Sequence, residues 1–332
     1  MNIAITVDPE IPVPPRFYGG IERIVYLLAS GLVERGHSVT LFANGASNVP
    51  CRLIPWTGRN SQSLFDCVKN MHLASSSAMR EKYDVVHCFS RLAYVWPLLV
   101  AGMRIIMTYQ RPITKKSIVL GNMLSRNNIR YTAVGKHLTT NLPGNWKVIP
   151  NGVDTHQFRY NPSVLNDAPL AFLGRIEHIK GVHLAIQVAK RSRRRLIIMG
   201  NLEDEHSEFF DTQIKPHLGG RDIVFIGAVD DAAKSDLLGS SAALLMPILW
   251  DEPFGIVMVE SLACGTPVIG LNRASVPEVI EDGVTGFVCD NVEQMVLAVG
   301  KLNSLDRANS RSVAENRFSK PAIVSQYEDL YV

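Results

Sequence analysis

Two series of short β-branched runs, each followed by a longer stretch with helical spacing, constrain the fold of this chain more than any other feature. In the first series Asn2 to Val7, Ser38 to Ala43, Asp84 to Phe89, Arg104 to Thr108 and Tyr131 to Val134 read as strands. Gly20 to Arg35 reads as a helix, because Ile21, Ile24, Val25, Leu28 and Leu32 recur at helical spacing and Gly36 suits the C-cap. Strand, helix, strand in alternation is the pattern of a parallel sheet wrapped by helices. The second series has strand candidates at Pro169 to Leu173, Arg195 to Met199, Ile223 to Ile226, Ala243 to Met246, Pro267 to Ile269 and Gly286 to Val288. Between them lie helical windows near Val182 to Lys190, Ser207 to His217, Ala232 to Gly239, Gly255 to Ala263 and Val292 to Leu302. The expected fold class is α/β, with two doubly wound sheets in tandem. Pro143 to Asn166 holds three prolines and the turn dipeptide Asn151-Gly152, which makes it the expected linker.

Length agrees with two domains, since 332 residues exceed what one core of roughly 150 residues uses. Hydrophobic residues at 46% and charged residues at 20% exclude a disordered chain. A net charge of +3 is too small to argue for nucleic acid as a partner. Five cysteines without a C-x-x-C pair read as reduced cytosolic thiols. The opening MNIAITV is too short for a signal peptide, and no run reaches about 18 apolar residues, so a cytoplasmic protein is expected. Charge is nevertheless uneven: the 69 residues between Asp84 and Asp154 carry nine Lys or Arg and no carboxylate. That field would suit an anionic acceptor or the inner face of a membrane, or would complement acidic helices of the same domain.

Three segments carry residues suited to chemistry. Gly19-Gly20 follows the first strand and opens the first helix, where free N–H groups favour anions, although glycine also serves turn geometry alone. Gly174-Arg175-Ile176-Glu177-His178-Ile179-Lys180-Gly181 places two cations five residues apart at the carboxyl end of a parallel strand, which suits a diphosphate. Glu252-Pro253-Phe254-Gly255 leads into an apolar helix that contains Glu260. Carboxylates before and inside a helix N-terminus suit a polyol, and they also suit the helix dipole by itself.

Together these runs resemble the family-4 retaining glycosyltransferases. The resemblance rests on Glu252-x7-Glu260 in EPFGIVMVE-SLACGTPVI, on Gly174-Arg175 with Lys180-Gly181, on the linker VIPNGVD, and on the opening Gly19-Gly20-Ile21-Glu22-Arg23. It implies the GT-B fold, two Rossmann-like domains facing across a cleft: residues 1–150 on the acceptor side, 151–314 binding the nucleotide sugar, and a C-terminal helix near 315–332 returning to the first domain. It further implies a nucleotide-diphosphate sugar as co-substrate, UDP-sugar by default, with no cofactor and no metal. By similarity Arg175 and Lys180 hold the diphosphate, and Glu252 touches the donor sugar beside the backbone amides of Phe254, Gly255 and Ile256. Glu260 binds ribose, Gly174 and Gly20 approach the diphosphate, and Gly227 closes the strand end that meets the nucleobase. The acceptor is a saccharide, lipid-linked or small-molecule hydroxyl, and peripheral membrane contact belongs to the expected partners.

Two positions depart from the family pattern. Thr108-Tyr109-Gln110 has glutamine where many members carry histidine, and Ala274-Ser275 stands where many have a glycine pair. His87, in Asp84-Val85-Val86-His87, matches another family histidine and is expected, with Gln110, near the donor or acceptor. An epimerase or hydrolase of the same fold, or a silent nucleotide-sugar-binding subunit, are the alternatives on sequence.

Overall fold

The structure is a computed structural model that describes residues 1–16, 19–125, 128–144 and 146–332. The chain divides into two units, residues 1–151 with 320–332 and residues 152–319. Unit 1 is built on seven parallel strands: β1 (Asn2–Thr6), β2 (Ser38–Ala43), β3 (Arg52–Pro55), β4 (Val85–Cys88), β5 (Ile105–Tyr109), β6 (Ile129–Ala133) and β7 (Trp146–Val148). Their order is β3-β2-β1-β4-β5-β6-β7. The order reverses between β1 and β4, which makes the carboxyl ends of those strands the ligand-binding crevice of such a sheet. The interior strands are largely buried on both faces, so apolar residues dominate them. The edge strands β3 and β7 are part-exposed, and Pro55 can end an edge strand without costing a ladder bond.

The C-terminal tail forms two helices, Arg307–Phe318 in unit 2 and Lys320–Tyr331 in unit 1. The break falls at Ser319, inside the span 315–332 that was expected as one helix. Pro321 stands in the first turn of its helix, where a missing N–H costs nothing. That helix lies on Gly20–Glu34, the first helix, so closely that a Cβ on Gly31 would come within 2.5 Å of Val324. Lys320 pairs with Glu34 at 2.8 Å, and Glu328 binds His37 at 2.8 Å and also Arg35. At its far end Arg130 donates to Leu330 O at 2.8 Å and Arg104 donates to Tyr331 O, cations at a helix C-terminus where the dipole favours them. Part of the acid-free basic stretch is thus consumed inside unit 1.

Unit 2 holds six parallel strands: β8 (Leu170–Leu173), β9 (Leu196–Met199), β10 (Ile223–Gly227), β11 (Ala243–Met246), β12 (Val268–Leu271) and β13 (Gly286–Cys289), in the order β10-β9-β8-β11-β12-β13. Leu170, Ile198, Leu245 and Ile269 form the core with Val182, Ile186 and Met295 from the covering helices. Ser207 to His217, expected as one helix, is instead a helical turn at Ser207–Phe209, a π turn at Phe210–Ile214 and a 3₁₀ turn at Lys215–His217. Pro216 cannot donate the next helical bond, and Phe210 is drawn onto the ring of Phe225 at 5.1 Å.

Candidate active site

The loop after β8 is shaped by two glycines that cannot be replaced. Gly200, at φ +154°, would place a Cβ 1.7 Å from Gly174 O, and Gly181, at φ +75°, would place one 1.9 Å from Pro247 O. Leu249 N–H then donates to Ile179 O at 2.8 Å. These contacts lay the loop carrying Arg175 and Lys180 along the segment that runs from β11 to Glu252. Each cation meets a carboxylate there. Arg175 pairs with Glu177 at 2.8 Å, and Lys180 pairs with Glu252. Glu252 also accepts the indole N–H of Trp250 at 3.0 Å, while the Lys180 ammonium lies 4.6 Å from the centre of the same indole ring. The side chains of Lys180 and Glu252 are 16% and 13% exposed, shielded yet reachable.

Glu252 leads directly into the helix Ile256–Ala263, which opens at Gly255 in left-handed backbone, φ +73°. The Met258 N–H closes onto Gly255 O at 3.0 Å, so the amides of Phe254, Gly255 and Ile256 precede the first closed turn. Phe254 is buried and stacks edge-on to Phe318 at 6.0 Å, which fixes this turn against the helix Arg307–Phe318.

The two carboxylates of the Glu-x7-Glu spacing separate. Glu260 is 3% exposed and bonds Lys234 at 2.5 Å, a lysine that also meets Asp231 at 2.9 Å and faces the Phe158 ring. Gly227 ends β10 at φ +77° and a Cβ there would meet nothing within 4 Å, so only its backbone shape and the space in front of it call for glycine. Ala274 does adopt left-handed backbone, φ +49°, the conformation glycine takes freely.

In unit 1, Gly19 and Gly20 differ. A Cβ on Gly19 would strike Pro15 and Glu22, whereas one on Gly20 would meet nothing within 4 Å among the described residues. Gln110 forms a reciprocal amide pair with Asn151, at 2.8 and 2.7 Å, and that bonding takes up its carboxamide. Asp8, just after β1, accepts from the Arg91 N–H at 3.2 Å and from Arg111 at 3.3 Å. Burial raises the carboxyl pKa of both Asp8 and the nearby Glu22, with Arg111 opposing it at Asp8.

His87 requires a correction. It is fully buried, with Nδ1 on the Tyr331 hydroxyl and Nε2 on Thr108 Oγ1, both at 2.7 Å. Neither nitrogen is open to a donor or an acceptor, and the ring instead fastens the C-terminal helix to β4 and β5. Burial pulls its pKa from 6.5 down to about 3. An unfolded chain therefore takes up a proton near pH 6.5 that the folded chain refuses until about pH 3. Stability is undiminished by this group above pH 6.5 and falls by about 1.4 kcal/mol per pH unit below it. Urea unfolding should show a loss of about 2 kcal/mol between pH 6.5 and pH 5, and His87→Phe should flatten that slope. An equal slope in the variant would place the titration elsewhere.

Sequence reasoning missed Trp250, Glu177 and Lys234. The aromatic two residues before Glu252 was the available signal for Trp250, but nothing in the sequence brings Lys234 to Glu260 across 26 positions. Near Glu177, His206 Nε2 lies 3.5 Å from its carboxylate. Among the described residues, Glu203, Glu205 and His206 bring ligand atoms within 4.8 Å of one another.

Comparison with known proteins places this geometry. The family described as Glycosyltransferase Family 4 matches residues 18–157, and Glycosyl transferases group 1 matches residues 154–317. A phosphatidyl-myo-inositol mannosyltransferase of Mycobacterium leprae is 26% identical over 334 residues, covering 90% of this chain and 86% of its own. Among solved structures, a glycosyltransferase from Rickettsia africae has a TM-score of 0.80 at 20% identity, covering 99% of this chain and 97% of its own. Anabaena Alr3699/HepE, in complex with UDP and glucose, has a TM-score of 0.77 at 18% identity, covering 99% of both chains. With both halves matched in sequence and two parallel α/β units in the structure, this chain belongs to the group 1, family-4 glycosyltransferases of GT-B fold.

Proposed function

We propose that unit 2 binds a nucleotide-diphosphate sugar, a UDP-sugar by default, and that the protein transfers the sugar to a hydroxyl acceptor with retention of configuration and without a metal. The observation that carries this reading is the pair of cations, Arg175 and Lys180, each held against a carboxylate on the loops at the carboxyl ends of the strands. A diphosphate would exchange the Lys180–Glu252 bond for two others. Lys180 turns to phosphate oxygen, and Glu252 turns to accept from a sugar hydroxyl, so that neither charge is left without a partner. The amides of Phe254, Gly255 and Ile256 supply further donors at that helix end. Glu260 would bind ribose through the oxygen that Lys234 does not hold, and Gly174 and Gly227 leave the backbone approachable. The bond from the anomeric carbon to the leaving phosphate breaks as the acceptor oxygen attacks from the same face. The acceptor proton passes to that phosphate, whose negative charge Arg175 and Lys180 stabilise.

A saccharide, lipid-linked or small-molecule hydroxyl fits this reading, as the name of the mycobacterial relative and the UDP and glucose in the Anabaena structure suggest for those proteins. Calorimetric titration with UDP, GDP and ADP in the presence of EDTA tests it. One nucleotide should bind selectively, and Arg175→Ala should weaken it by roughly ten- to a hundredfold, the range for hydrogen bonds to charged groups. Absence of binding to all three would remove the donor reading. Binding lost only in EDTA would remove the metal-free part and point to Glu203, Glu205 and His206.

A further inference from the structure

Strand β9 ends at Met199, and the chain continues through Gly200 and Asn201. The Ile176 N–H donates to Asn201 O at 2.9 Å, and a Cβ on Gly200 would strike Gly174 O. The loop after β9 is therefore laid against the loop that carries Arg175. Beyond Asn201 a single 3₁₀ turn spans Asp204–His206 and closes with the His206 N–H on Glu203 O at 2.9 Å. Such a turn repeats every three residues, so Glu203 and His206 fall on one side of it.

Glu205 adds a second carboxylate, with Oε1 3.4 Å from His206 Nε2. Ligand atoms bonded to a tetrahedral zinc ion stand about 3.4 Å from one another, whereas a good hydrogen bond is shorter. His206 Nε2 is shut off from solvent and has no hydrogen-bond partner. Glu177, only 6% exposed, brings a third carboxylate 3.5 Å from the same nitrogen while its other oxygen pairs with Arg175. Among the described residues Glu203 meets no cationic side chain, and Glu205 meets His206 alone. A buried nitrogen without a partner, set among carboxylates that no lysine or arginine neutralises apart from the one on Glu177, calls for a bound cation.

We propose that Glu203, Glu205 and His206, whose ligand atoms lie within 4.8 Å of one another, bind a divalent transition cation of the zinc class. An imidazole among carboxylates suits zinc, while magnesium prefers oxygen ligands and keeps its waters. The ion clasps the turn after β9 and neutralises the charge that gathers behind Glu177, the carboxylate on which Arg175 rests. It stands outside the transfer proposed above, which remains free of metal. The inference does not depend on which nucleotide unit 2 binds.

Calorimetric titration of the full chain with zinc chloride, after treatment with EDTA and dialysis, tests it. One equivalent should bind with micromolar or tighter affinity, magnesium chloride should not compete, and the melting temperature should rise with zinc. His206→Gln should lose that equivalent, and so should Glu203→Gln combined with Glu205→Gln, and neither variant should melt differently with zinc. UDP affinity in EDTA should be the same in both variants as in the parent chain, because Arg175, Lys180 and Glu252 are untouched. Absence of zinc binding to the folded parent chain would overturn the proposal. Zinc held equally well by both variants would also overturn it and place the ion elsewhere, for instance on the stacked rings of His178 and His183. A UDP affinity that appears only with zinc would contradict the separation of this ion from the transfer.

Discussion

Replacing Lys180 by methionine is expected to lower kcat by roughly 100- to 1,000-fold, about 2.7–4 kcal/mol, the range for removing one preorganised donor from a developing negative charge. Methionine keeps the aliphatic stem against the indole of Trp250 and removes only the ammonium. The loss should fall on turnover more than on nucleotide affinity, because Arg175 remains to hold the diphosphate in the ground state. Trp250→Phe should cost less, since the ring under Lys180 survives and only the N–H to Glu252 is removed. Release of nucleoside diphosphate from the donor that calorimetry selects is the assay. A Lys180→Met enzyme turning over at near-normal rate would take this ammonium out of the mechanism.

Glu260→Ala carries the second large effect, on stability. The Lys234–Glu260 pair is buried, with side chains 7% and 4% exposed. Removing one partner leaves an uncompensated charge in a buried site, which typically costs about 3–5 kcal/mol. Asp231, at 2.9 Å from the same lysine but half exposed, compensates only in part. Replacing both residues, Lys234→Met with Glu260→Leu, should recover most of that loss, because two apolar groups leave no charge stranded. Urea unfolding of the two variants reads the difference. A single-variant loss below about 1 kcal/mol, the value of an exposed pair, would mean that Asp231 already neutralises Lys234.

The doubly buried strands were legible because a parallel sheet with helices on both faces favours uninterrupted apolar runs, and Ala243–Met246 and Leu196–Met199 have them. The edge strands Arg52–Pro55 and Trp146–Val148 were not, since one side of each meets water and the apolar signal dilutes. The helix Leu64–Glu81 was missed for a related reason: its outward row holds Phe65, Val68 and Met79, so apolar residues lie on two faces and the periodicity blurs. Within the site, the residue types and their order were readable, but their pairing was not. Lys180 and Glu252 are 72 positions apart and meet because Gly181 lets the loop close on Pro247. The role of His87 was hidden further away still, in a tyrosine 244 residues downstream.

A crystal structure of the protein with UDP bound tests the central claim most directly. The account predicts the diphosphate at the N-terminus of the helix Ile256–Ala263, with Arg175 and Lys180 bonded to its oxygens and Lys180 parted from Glu252. A nucleotide bound elsewhere, or bound there with the Lys180–Glu252 pair intact, would contradict it.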